Sequence, residues 1–110
     1  MKFILAFSIL TSQMALAGTC SENVLNQGWH PKYISYCKGA EPRCAQTLLN
    51  QGWSARYLSN CQGVETRCAQ KVLNQGWNPR YVANCRGVDF SCAKSVLDQG
   101  WNPRYVKSCK

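Results

Sequence analysis

From Cys20 to Cys109 the pattern of apolar and polar positions recurs every 24 residues. Cysteines stand at 20, 44, 68 and 92, and again at 37, 61, 85 and 109. In the third copy Cys68 and Val72 are four apart, with Ala69 and Leu73 on the adjoining row, which is helical spacing over about two turns. The pattern stops at Gly76, a residue suited to the left-handed position that closes a helix. Asn78 and Pro79 follow, a favoured N-cap and a favoured first helical residue, so a second helix starts there and carries Tyr81, Val82 and Cys85 as far as Gly87. Asn102-Pro103 repeats that start signal, and Ser54-Ala55 and His30-Pro31 are weaker versions. Entry to the first helix is marked by Thr19 with Glu22 three residues on, a capping-box pattern, and by Thr66 and Ser91. Each repeat therefore reads as helix, tight turn, helix.

Helices of about eight residues are marginal in water on propensity alone, so these hairpins need pinning. In an antiparallel hairpin the start of the first helix and the end of the second lie together, which sets Cys68 beside Cys85. The same logic pairs Cys20 with Cys37, Cys44 with Cys61 and Cys92 with Cys109. A rival scheme links neighbours across repeat boundaries, Cys37 to Cys44, Cys61 to Cys68 and Cys85 to Cys92. It leaves Cys20 and Cys109 over, at opposite ends of an extended stack and beyond the roughly 7 Å limit on bridged Cα atoms. The expected fold is all-α, with four disulfide-stapled helical hairpins stacked as a short α-solenoid or a compact bundle. The repeats are taken as 20–43, 44–67, 68–91 and 92–110.

The N-terminus follows different rules. Met1-Lys2 leads into an apolar stretch from Phe3 to Leu16, and Ala15-Leu16-Ala17 is a small-x-small cleavage pattern, so residues 1–17 read as a secretory signal peptide cut near Ala17. The stretch is too short for a spanning helix, which needs roughly 20 apolar residues, and no transmembrane segment is expected later. A lipoprotein signal would need cysteine at the position of Thr19. Residues 18–110 then form one small domain, a secreted or periplasmic chain whose eight cysteines suit an oxidising compartment. No metal is expected, because there is no C-x-x-C pair and His30 is the only histidine. No cofactor motif is present.

The chain carries 13 basic and 5 acidic side chains, and loss of Lys2 with the signal leaves a balance near +7. Lys32, Arg56, Arg80 and Arg104 occupy one position of the repeat, so stacking sets out a ladder of positive charge along one edge. Trp29, Trp53, Trp77 and Trp101 recur at the turn. Each indole can lock the two helix ends by packing on residues such as Val72 and Val82, or it can stack on a ligand. Tyr33, Tyr57, Tyr81 and Tyr105, four residues before the closing cysteine, are expected beside the disulfide. Gln27, Gln51, Gln75 and Gln99 precede the turn glycine and are expected to bond the turn backbone, with a ligand contact as the alternative.

A row of cations beside aromatic rings suits an anionic polymer, since spaced weak contacts gain from multivalency and guanidinium groups grip carboxylate or phosphate through two donors. The expected function is multivalent, non-catalytic binding of an anionic cell-envelope glycan or similar polymer. Alternatives are a protein-interaction scaffold or inhibitor in an extracellular complex, and a cationic membrane-active peptide. Nucleic acid fits electrostatically, but export argues against it. No nucleophile recurs beside a base and the acidic residues are scattered, so no enzyme is expected.

Overall fold

A computed structural model describes residues 19–110; the expected signal peptide and its cleavage site lie outside the described residues. Every repeat is an α-helix followed by a 3₁₀ helix. The pairs are α1 (Thr19–Asn26) with η1 (Pro31–Cys37), α2 (Pro42–Asn50) with η2 (Ala55–Cys61), α3 (Thr66–Asn74) with η3 (Pro79–Cys85), and α4 (Phe90–Asp98) with η4 (Pro103–Cys109). The described residues form no strand, only isolated antiparallel bridges between Ala40 and Gln62 and between Val64 and Arg86, which tie one inter-repeat linker to the next.

The first helices begin earlier than Thr66 and Ser91 suggest, by one residue in the third repeat and by two in the fourth. Glu65 is the N-cap of α3, its carboxylate accepting from the backbone N–H of Cys68 at 2.7 Å. Glu41 and Asp89 do the same for Cys44 and Cys92. Thr66 and Ser91 lie inside their helices. The acidic side chain satisfies an orphan N–H and also places negative charge at the positive end of the helix, an advantage that a hydroxyl lacks. At the other end Gly76 takes φ of 87°, and the N–H groups of Gly76 and Trp77 bond back to Leu73 and Val72 in the closing pattern expected of a glycine-terminated helix.

The second helices start where the caps place them. His30, Ser54, Asn78 and Asn102 each accept from the backbone N–H two residues on. They run, however, as 3₁₀ helices, with bonds such as Tyr81 N–H to the Asn78 carbonyl. In η2, η3 and η4 the spacing of the buried residues suits that form. Pro79, Val82 and Cys85 are all buried, as are Ala55, Leu58 and Cys61, and Pro103, Val106 and Cys109. At three residues per turn, positions i, i+3 and i+6 form one straight row, whereas an α-helix would rotate the last of them off the face.

Disulfides join Cys20 to Cys37, Cys44 to Cys61, Cys68 to Cys85 and Cys92 to Cys109, with Cα atoms 5.5–5.8 Å apart. The cross-boundary bridges do not form. The bond joins the start of an α-helix to the end of its 3₁₀ partner, and there the N–H of Glu65 also donates to the carbonyl of Cys85, as Glu41 does to Cys61 and Asp89 to Cys109.

Successive α-helices pack on one another and successive 3₁₀ helices do likewise, so the repeats stack in two layers within an elongated body of 51 × 34 × 21 Å. Leu48, Leu49, Leu58, Val72, Leu73 and Val82 fill the middle between the layers and are fully buried. Polar contacts fasten each junction as well. Gln27, Gln51 and Gln75 donate from Nε2 to the carbonyls of Leu49, Leu73 and Leu97, each in the following repeat. The glutamines thus bond the backbone of the next repeat rather than that of their own turn; the carbonyls of Leu49, Leu73 and Leu97 already accept from the glycine three residues on, and each has a second lone pair to take the side-chain amide. Thr47 donates to Gln70 across the second junction, and Lys71 pairs with Asp98 across the third.

Candidate functional site

The 3₁₀ layer presents one surface unit four times. In each 3₁₀ helix the second residue is exposed, and the third is half-buried in the first three repeats and exposed in the fourth. The pairs are Lys32 and Tyr33, Arg56 and Tyr57, Arg80 and Tyr81, and Arg104 and Tyr105. The cation lies against its own tyrosine ring, with the charged centre 5.4, 5.5, 5.1 and 5.0 Å from the ring centroid in chain order. The tyrosine meets the tryptophan of the same repeat edge to face, at centroid separations of 5.6, 5.9, 5.6 and 6.0 Å. Cation, tyrosine and tryptophan therefore follow one another in order within each repeat, and stacking of the 3₁₀ helices lines the four units up. The tyrosines are thus engaged by tryptophan and cation, not chiefly by the disulfide. Four residues along a 3₁₀ helix advance one and a third turns, which carries Tyr81 off the face of Cys85.

The indoles of the first three repeats pack on the core and keep part of each ring at the surface. Trp29, Trp53 and Trp77 are half-buried against the core, and Trp101 is exposed. Trp53, Trp77 and Trp101 donate from Nε1 to Gln51, Gln75 and Gln99 two residues before them. Trp77, Gln75 and the Leu97 carbonyl so form a relay from one repeat to the next, and the exposed part of each indole stays on the surface beside its tyrosine. The sequence marked the glutamines as recurrent but held no sign of this relay, since the accepting carbonyl lies 22 residues away.

The cations are exposed, and among the described residues none of Lys32, Arg56, Arg80 and Arg104 is paired with a carboxylate; the ion pairs present involve Arg67, Lys71 and Lys94. Arg80 and Arg104 donate instead to the hydroxyls of Tyr81 and Tyr105, at 3.4 and 3.0 Å. Hydrogen bonding from Arg80, and then from Asn102 of the next repeat, lowers the pKa of the Tyr81 phenol below its ordinary value. Tyr57 is lowered by Asn78 of the next repeat first and by Arg56 second. Each guanidinium keeps donors to spare, since a phenol engages one of five. The surface is a row of oriented, unneutralised cations backed by aromatic rings.

His30, in the first copy alone, is a cap: its Nδ1 accepts from the N–H of Lys32 at 3.0 Å. Among the described residues no three His, Cys, Asp or Glu side chains are grouped to hold a metal ion, and no helix is long and apolar enough to cross a membrane. Comparison with known proteins finds no matching family model, no matching curated protein and no matching solved structure. Four disulfides suit folding in an oxidising extracellular or periplasmic environment.

Proposed function

We propose that the protein is a non-catalytic binding module for an anionic cell-envelope polymer, such as peptidoglycan or another acidic glycan. Residues 1–17 act as its signal peptide, and the mature chain works outside the cytoplasm. The observation that carries this reading is the fourfold row of cation, tyrosine and tryptophan, in which, among the described residues, no cation is paired with a carboxylate. A charged row that served solubility alone would gain nothing from an oriented aromatic backing, and it would tolerate acidic neighbours. Here each guanidinium is held against a ring and has donors to spare, which lowers the ordering cost of gripping a carboxylate or phosphate. The half-exposed indoles offer flat apolar faces for sugar rings. Contact at each repeat is weak, and the four in series supply the avidity.

Apart from Leu25 and Val96 at the two ends, the apolar rows of the α-helices are committed to the core, which disfavours a membrane-active peptide that must turn such a face to lipid. The test is sedimentation with isolated envelopes and with a soluble acidic glycan at low and high ionic strength. Binding is expected at low salt and should fall steeply as salt rises. The triple variant Arg56→Gln, Arg80→Gln, Arg104→Gln should keep its fold and lose most of that binding. Full retention by the triple variant, or no binding by the wild type at low ionic strength, overturns the reading.

A further inference from the structure

Among the described residues the stack presents two end faces, which are the two halves of the junction used three times inside it. At the back, Val96 is only half-buried, whereas its counterparts Val24, Leu48 and Val72 are fully buried. Trp101 is 56% exposed and Tyr105 45%, and with Val96 they line a shallow apolar depression of about 370 Å³. At the front, Leu25 is 46% exposed while Leu49, Leu73 and Leu97 are each at 1%. The same positions are covered or bare according to whether a neighbouring repeat follows or precedes.

We propose that a second copy of this chain covers these faces, the front of its first repeat docking on the back of the fourth in the register of the internal junctions. The polar complement carries over position by position. Gln99 Nε2 stands where Gln27, Gln51 and Gln75 reach the carbonyls of Leu49, Leu73 and Leu97, and Leu25 of the second copy offers the equivalent carbonyl. Ser95 takes the place of Thr47, whose hydroxyl donates to Gln70, and Glu22 of the second copy takes the place of Gln70 as acceptor. Tyr105 meets His30 where Tyr57 and Tyr81 lie close enough to Asn78 and Asn102 for these to lower their pKa. Leu25 is offered to the depression of Val96, Trp101 and Tyr105.

One edge of this junction is repulsive. Inside the stack Arg86 donates to the carbonyls of Gln62 and Ser59 in the preceding repeat. The same register sets Lys38 of the second copy beside Lys110 and Lys107, where like charges oppose contact. Self-association should therefore strengthen as salt screens that edge, opposite in sign to the polymer binding proposed above and independent of it. Because the contact is head to tail, association is open-ended unless its rotation closes a ring.

Analytical ultracentrifugation of the disulfide-intact protein, with its N-terminus read by mass spectrometry, tests this. The weight-average mass should rise with concentration to at least roughly twice the monomer, and more readily at high salt. Leu25→Gln on the front and Val96→Lys on the back should each leave a folded monomer, as judged by circular dichroism and thermal melting. Mixed together they retain one intact front and one intact back, and should form a one-to-one dimer that neither forms alone. Gln99→Ala, which leaves the apolar contact in place, serves as a milder back-face variant and should weaken association severalfold. A monomer at the highest soluble concentration in high salt overturns the proposal. So does association that survives in both face variants, or a mixture that stays monomeric.

Discussion

Gln75 donates its side-chain N–H to the main-chain carbonyl of Leu97 at 3.2 Å while its own oxygen accepts from the indole of Trp77, also at 3.2 Å. One amide so ties the turn of the third repeat to the helix end of the fourth. Replacing Gln75 with Leu should lower stability by about 1 kcal/mol, the usual net worth of such a bond, and Gln51→Leu should match it. Gln99→Leu provides the control, because among the described residues its Nε2 donates to no carbonyl of another repeat, while its oxygen still accepts from Trp101. Thermal melts of dilute protein in low salt should show lower Tm for the first two variants and a Tm near wild type for the third. Equal losses at all three would mean that the side chain serves its own turn.

The N-caps of the α-helices are the next point of leverage. Glu65 bonds the N–H of Cys68 through its side chain and the carbonyl of Cys85 through its backbone. Glu65→Ala removes only the first and should cost about 0.5–2 kcal/mol, whereas Glu65→Asp should recover much of the loss. Thr66→Ala, one residue inside the helix, should change stability far less. Denaturant titration of the three variants separates the cap from its neighbour.

These two contacts show what could be read from the sequence and what could not. The period, the pairing of Cys68 with Cys85 and the start of a second helix at Asn78-Pro79 were legible, because each rests on residues close together in the chain or repeated in it. The cap at Glu65 was missed by one residue, since Thr66 is itself a good capping type and only the geometry of the helix start separates them. The 3₁₀ form of the second helix was ambiguous. Pro79, Val82 and Cys85 suit a period of three while Tyr81 and Cys85 suit a spacing of four, and seven residues are too few to decide. The repeated cations Arg56, Arg80 and Arg104 stood out in the sequence, but their seat on Tyr57, Tyr81 and Tyr105 follows from that 3₁₀ geometry and became visible only with it.

Acid should loosen the junction between the third and fourth repeats. Lys71, in the third, and Lys94, within α4, both hold the Asp98 carboxylate at 2.8 Å, and Lys71 first, then Lys94, lower its pKa below the ordinary aspartate value. A carboxylate depressed in the folded state contributes stability that is fully present above its unfolded pKa, near about 3.9, and is lost as pH falls through the lower folded value. Asp98→Asn should be slightly less stable than wild type at neutral pH and should converge on it in acid. The gap should narrow with salt, because the pair is exposed. A gap that is constant across pH would assign the effect to packing instead of charge.

The four staples should differ in how readily they are reduced. Cys44, Cys61, Cys68 and Cys85 are completely buried, whereas Cys20 and Cys37 are both partly exposed and Cys92 is partly exposed beside a nearly buried Cys109. Thiol–disulfide exchange needs access of a thiolate to the sulfur, so under native conditions the bridge of the first repeat should open first and that of the fourth next. The two central bridges should wait for unfolding. Timed reduction, alkylation and peptide mapping reads this order directly. Double replacement of Cys20 and Cys37 by Ala should cost less than replacement of Cys68 and Cys85. The loop-entropy contribution is the same for both, about 3 kcal/mol for loops near this length, since both pairs are 17 residues apart. The central pair is also fully packed, and its loss adds a cavity between two neighbouring repeats. Simultaneous opening of all four bridges would instead show that the array unfolds as one cooperative unit before any sulfur is reached.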